Sequence, residues 1–194
     1  MYLAAENGYE EVVMLLLAQK DIDVNKEQES GEWAGATPLI RASRNGHEEV
    51  VKLLLAHNDI YVNKGAIAST GGINTPLYYA VNGRWVEVVN LLLNHPQTDV
   101  NIGNDQANPL LRAVWLNFPE IVQILLQHPH IDVNCQRPAD RATPLFLAAY
   151  YGRDSGITYC KMCIDLHSFT CIKSYRSICG TKKIGNGEND SCTP

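Results

Sequence analysis

The stretch TPLIRASRNGHEEVVKLLL at residues 37–55 decides the fold, because two short helices and the signals that bound them can be read from it. Thr37 stands where a side-chain oxygen caps a helix by accepting a backbone N–H bond. Pro38 suits the first turn, whose N–H groups have no helical partner anyway. Gly46 allows the left-handed conformation that stops a helix. Glu48 and Glu49 follow at the positive N-terminal end of a second helix. That second helix, over residues 50–55, is apolar on most of its faces. One helix pair cannot bury such a surface; stacked neighbours can.

Outward from this stretch the same signals recur. Thr37-Pro38-Leu39 returns as Thr75-Pro76-Leu77, Asn108-Pro109-Leu110 and Thr143-Pro144-Leu145. Apolar second helices recur at residues 12–17, 88–93 and 121–126, and Gly8 repeats the role of Gly46. Each unit closes on a Val-Asn pair ending at Asn25, Asn63, Asn101 or Asn134, in steps of 38, 38 and 33 residues. Self-similarity of this kind dictates a stack of repeated supersecondary units.

These residues resemble the ankyrin repeat, whose period is about 33 residues with a Thr-Pro-Leu-His-x-Ala signature. The resemblance covers residues 1–152. It implies an all-α solenoid of about four to five stacked helix–turn–helix units, the first and last incomplete. Antiparallel helix pairs with almost no regular sheet are expected over residues 3–150. The chain also departs from the family pattern. Ile40, Tyr78, Leu111 and Phe146 stand where the signature has His, which removes hydrogen bonds that His often makes in the family. Arg84 and Asn117 replace the helix-ending Gly of two units.

Composition narrows the function classes. The chain has 194 residues, 45% hydrophobic and 19% charged, which suits a folded protein. A net charge of -5 with no basic stripe argues against nucleic acid as partner. The longest aliphatic run, residues 12–18, falls far short of the ~18–20 residues of a membrane span. The start, Met1-Tyr2-Leu3 with Glu6 close behind, has no basic segment of a signal peptide. Of six cysteines, Cys135 alone precedes residue 160, so the body does not rest on disulfides. A reducing compartment is expected, the cytoplasm first and the nucleus second.

No P-loop, dinucleotide fingerprint, nucleophile elbow or His-Glu-x-x-His motif occurs, so no catalytic residue, cofactor or small-molecule substrate is expected. His57, His95 and His128 recur at one repeat position, each after a second helix. A cation there favours the helix dipole, which is a structural role and not a metal site. Asn25, Asn63, Asn101 and Asn134 are expected to hydrogen-bond the turns between units. The family resemblance also makes them candidate substrates of an asparaginyl hydroxylase that favours a leucine eight positions upstream. Leu17, Leu55, Leu93 and Leu126 occupy that position.

Both ends break the pattern. Met1 aligns with Leu39, so the first unit lacks its turn and the start of its first helix, as a fragment or an incomplete gene model would. After residue 152 a Val-Val-x-Leu-Leu-Leu helix is due, but the chain reads Arg153-Asp154-Ser155-Gly156-Ile157-Thr158. Residues 153–194 are therefore expected to form a non-repeat tail, disordered or produced by a reading-frame slip or unspliced intron. Its removal should leave the melting temperature nearly unchanged, with protease trimming near Arg153. The rival reading is zinc on Cys160, Cys163, His167 and Cys171, since thiolates and imidazole suit tetrahedral zinc. The spacing resembles a zinc knuckle, but both spacers beside His167 are one residue short and the turn glycine is missing. No metal is assigned.

Ankyrin stacks resemble one another in binding through loop tips and the inner face of the first helices, so another protein is the expected partner. Eleven residues separate Asn25 from Thr37 and Asn63 from Thr75, against six before Asn108 and eight before Thr143. Trp33 lies in the first long loop, either as a binding anchor or tucked against its own loop. Alignment places Glu6-Asn7, Arg44-Asn45, Asn82-Gly83, Trp115-Leu116 and Tyr150-Tyr151 on the inner face, and Tyr78 is counted with them. The groove thus changes from polar to aromatic along the stack, and aromatic residues favour interface hot spots. Tyr150 and Tyr151 have a plainer reading as cover for the end of the stack. Two other functions stay open: a nucleic-acid binder with the zinc-knuckle-like tail, and the targeting module of a larger enzyme.

Overall fold

The computed structural model describes residues 1–31, 33–67, 72–104 and 108–151. The tail, with Cys160, Cys163, His167 and Cys171, lies outside the described residues, as do the expectations about its order and removal. First helices α1 (Tyr2–Glu6), α3 (Pro38–Asn45), α5 (Pro76–Asn82), α7 (Pro109–Leu116) and α9 (Pro144–Tyr150) form one layer. Second helices α2 (Glu10–Leu17), α4 (Glu48–Leu55), α6 (Val86–Leu93) and α8 (Pro119–Leu126) form the other. Each helix packs on its counterparts in the units before and after it. Among the described residues the sheet is limited to one two-stranded hairpin, β1 (Ala66–Ile67) against β2 (Ile73–Asn74) in the loop before α5, and a single bridge between Gly72 and Asn104.

The helix starts follow the sequence signals. Thr37 accepts the N–H of Ile40 at 3.3 Å, Thr75 that of Tyr78 at 3.2 Å, Asn108 that of Leu111 at 2.9 Å and Thr143 that of Phe146 at 3.3 Å. The stops follow as well. Gly8 and Gly46 have φ of 69° and 76°, and Arg84 and Asn117 take the same left-handed turn at 60° and 57° although neither is glycine. Glu10, Glu11, Glu48, Glu49, Glu87 and Glu120 occupy first turns of the second helices, where the helix dipole favours them.

One apolar core runs through the stack. Leu39, Leu54, Leu77, Leu92, Leu110, Ile121, Leu125 and Leu147 are all buried, contributed alternately by first and second helices. Three of the closing asparagines clamp the turns, each using both ends of its amide on the next unit. Asn25 donates to the carbonyl of Asp59 at 2.6 Å and accepts the N–H of Tyr61 at 2.9 Å. Asn63 does the same with Gln97 and Asp99, and Asn101 with His130 and Asp132. Aromatic side chains lock the helix layers too. His47 Nε2 donates to the carbonyl of Glu6, and Trp85 Nε1 to that of Arg44, each at 2.8 Å across a unit boundary.

The histidines behave differently from the sequence expectation. Nδ1 of His57 accepts the N–H of Asp59 at 3.3 Å, and His95 and His128 accept likewise from Gln97 and His130 at 3.4 Å. In this contact the ring nitrogen serves as an acceptor in the turn, a structural role that does not call on a cation at the helix dipole. Burial, helped by the neighbouring His130, pushes the His128 pKa below its ordinary value. The folded state therefore binds protons less readily than the unfolded chain at this site. Its contribution is present above the unfolded value of 6.5 and is lost as pH falls from there towards the lowered folded value. A ring-proton NMR titration should give His128 a midpoint below 6.5; a midpoint at or above that value would restore the cationic role.

Candidate protein-binding face

The first helices each align one stripe of side chains at positions three apart, as helical geometry dictates, part of it buried and part exposed. On α3 the stripe is Arg41 and Arg44, on α5 Tyr79 and Asn82, and on α7 Arg112 and Trp115. Tyr150 continues it on α9. Within α3, Arg41 is buried and bound, with its guanidinium on Glu6 at 2.9 Å and on Gln28 at 2.7 Å. Arg44 is exposed, and its guanidinium stands 4.1 Å over the ring of Trp33.

Trp33 is not at a loop tip. It folds back over the first helices, with Arg41 at 4.9 Å from its ring and Tyr79 edge-on at 6.1 Å. With Tyr79 it lies against a small second core of Ala36, Ile40 and Ala66. The loop therefore forms a wall of the groove, and Trp33 supports Arg44. Beyond this wall the β1–β2 hairpin projects a cross-strand pair of isoleucines, Ile67 and Ile73, both exposed.

Tyr78 does not belong to this face. It is 7% exposed and sits in the main core, while its neighbour Tyr79 turns to the groove. Adjacent helical residues point about 100° apart, so an error of one position changes the face. Asn45 and Asn82 are on the face but engaged. Asn45 donates to the carbonyl of Glu6 at 2.8 Å, and Asn82 accepts from Arg112 Nε at 2.8 Å. Leu116 is half-buried behind Trp115.

At the far end the aromatic residues meet. Trp115 packs edge-on against Tyr151 at 5.6 Å, Tyr151 against Tyr150 at 5.1 Å, and Tyr150 stacks on Phe146 at 5.9 Å. Arg137, from the loop before α9, stands 4.9 Å over Trp115 and is fixed there by a two-pronged pair with Asp140. That pair, with the N–H of Ala142, holds the Asp140 carboxyl down to about 2. Four aromatic side chains remain open to solvent in one wall: Trp115, Phe146, Tyr150 and Tyr151. The alignment does not place Tyr79, Arg112, Arg137 or Phe146 on the binding face. The three-residue spacing from Asn82 back to Tyr79, and from Trp115 back to Arg112, is the signal that finds the first two.

Among the described residues no group of three or more His, Cys, Asp or Glu could hold a metal ion. Cys135 is half-buried, and burial pushes its thiol up to about 12, so it stays protonated and inert, donating to Asn108 Oδ1 at 3.6 Å. No helix among the described residues is long and apolar enough to cross a membrane.

A family model for ankyrin repeats in three copies matches residues 1–66 and 62–137. The chain belongs to the ankyrin-repeat family. No curated protein matches it. Ankyrin repeats generally mediate protein–protein interaction and are typically non-catalytic, with extended concave surfaces that follow from the small rotation between units. In this ankyrin stack the departures from the signature have local remedies. Where the family has His, Ile40, Leu111 and Tyr78 fill core space, and Phe146 joins the aromatic wall.

Proposed function

We propose that the chain is a protein-interaction module that holds an extended segment of another protein along the concave face of its first helices. The observation that carries this reading is the set of arginine and aromatic side chains on the first helices α3, α7 and α9: half-buried Arg112, and exposed Arg44, Trp115 and Tyr150. Residues of these types supply most binding energy in protein interfaces, and here other side chains hold several of them in place. The exposed Ile67–Ile73 pair extends the contact surface beyond the groove. Cys135 alone precedes residue 160, so the repeats do not rest on disulfides, which supports action in the cytoplasm or nucleus.

A photo-crosslinking residue placed at Tyr150 tests this directly against the same residue at Glu49, an exposed position on α4. In host extract the Tyr150 position should trap a discrete protein that the Glu49 position does not. Equal trapping at both positions, or trapping at Glu49 alone, would place the interaction elsewhere.

A further inference from the structure

The chain is acidic overall, but its charge is divided between the two layers. The four second helices carry six glutamates and one lysine. The first helices carry three arginines and one glutamate, and that glutamate is used by the buried Arg41. Arg44 and Arg112 are left as the two groove cations that have no carboxylate partner among the described residues. Each is held ready. Arg44 is fixed over Trp33, and Arg112 is oriented through Nε and Nη2 on Asn82 Oδ1, which leaves Nη1 free to bind.

From this division we infer that the partner segment is acidic and extended, with two carboxylates spaced to meet Arg44 and Arg112 and an apolar side chain for the Trp115–Tyr150–Tyr151 wall. This rests on the proposed use of the concave face and adds the chemistry and register of what lies in it. The register follows from the stack. Arg44 is on α3 and Arg112 on α7, with α5 between them. Two helix–helix steps span about 16–20 Å, and an extended chain covers about 3.3 Å per residue. The acids are therefore about five or six residues apart. The step from α7 to α9 places the apolar residue about three positions beyond the second acid.

A guanidinium offers a planar fork that fits a carboxylate by two parallel hydrogen bonds, so two separate arginines select two separate acids. The stretch between them, on α5, presents Tyr79 and Asn82 and no charge. A nucleic-acid strand, with a phosphate at every nucleotide, calls for a continuous basic track instead. The glutamates of the second helices repel an acidic partner from the outer layer and steer it to the groove.

The experiment is selection of displayed random 12-residue peptides on the full chain, repeated on an Arg44→Glu/Arg112→Gln variant whose melting curve matches the parent. The parent should enrich peptides with two acids five or six residues apart and a large apolar residue about three further on. A synthetic peptide of that pattern should bind the variant at least ten-fold more weakly. Moving its two acids side by side should weaken binding to the parent by a similar factor. Enriched peptides that are neutral or basic, yet lost on Trp115→Ala, would overturn the acidic assignment and leave the concave face standing. No enrichment over an unrelated bait, or enrichment indifferent to both Trp115→Ala and the arginine variant, would overturn both. Tighter binding of a 12-nucleotide oligouridine than of the acidic peptide, with steep salt dependence and loss in the arginine variant, would overturn the protein assignment.

Discussion

Leu54→Ala should lower the free energy of unfolding by about 2–5 kcal/mol, read as a shift of the urea midpoint. Leu54 is fully buried on α4, between α2 and α6, so both neighbouring units lose contacts when its side chain is cut back. The hole opens in the middle of the stack, where rigid neighbours on two sides limit collapse, and the cost of such truncations grows with the cavity that remains. Lys52, two residues earlier on the same helix, is the control. Its side chain is 43% exposed, and its pairs with Glu48 and Glu49, at 3.2 and 2.6 Å, lie on the helix surface where solvent screens them. Lys52→Ala should stay within about 0.5 kcal/mol. Similar losses at the two positions would mean that the buried face of α4 has been assigned wrongly.

Gly46→Ala should cost about 3 kcal/mol, an unusually large effect for adding one methyl group. Two causes act together. At φ 76° an L side chain is strained by about 1–2 kcal/mol. The added Cβ would also stand 2.4 Å from Trp85 Cδ2, so the indole must move. Its displacement endangers the Nε1 bond to the Arg44 carbonyl at 2.8 Å, one of the links between the second and third units. Overpacking of this kind typically costs about 1–3 kcal/mol. The double variant Gly46→Ala/Trp85→Ala separates the causes. Adding Gly46→Ala to a Trp85→Ala background should cost only the backbone strain. If it costs as much as it does in the parent, the ring contact is irrelevant.

The buried helix of Leu54 and the helix stop at Gly46 are legible in the sequence, whereas the contact of Gly46 with Trp85 is not. The Thr-Pro-Leu starts, the Gly stops and the apolar second helices are local signals, and each needs only its own unit to be interpreted. The Val-Asn closures were legible for the same reason, since an asparagine that ends every unit has a turn to satisfy. What remained hidden depends on partners distant in sequence. Trp33 rests on Tyr79, whose position in space follows only after two units are stacked. The helix dipole alone suggests a cation at the histidines, but the contact their rings make is to nearer backbone N–H groups of the following turn. Tyr78 and Tyr79 stand side by side, and the sequence alone does not say which of them faces outward. A single arginine such as Arg112 in an apolar helix means little until Asn82 of the previous unit is beside it.

The aromatic wall was legible as residues but not as a structure. Trp115 belongs to one unit and Tyr150 and Tyr151 to the next, and the contact between Trp115 and Tyr151 depends on the separation of α7 and α9. Arg137 and Asp140 lie in a loop that differs in length from the others, so alignment with the other units offers no guide to them. Loop variation of this type is where a repeat stack is free to acquire a binding function at little cost in stability.

The most direct test of a concave, first-layer binding face is the affinity of the crosslinked partner for two variants that melt alike. One variant, Trp115→Ala/Tyr150→Ala, strips the groove of two aromatic groups. The other, Lys52→Ala/Asn90→Ala, changes two exposed positions of the second layer. Loss of two interface anchors at about 2 kcal/mol or more each should weaken binding by roughly three orders of magnitude. The second-layer variant should remain within about two-fold of the parent, since surface positions away from an interface contribute little. Weakening by the second-layer variant, with the groove variant binding as the parent does, would contradict the account.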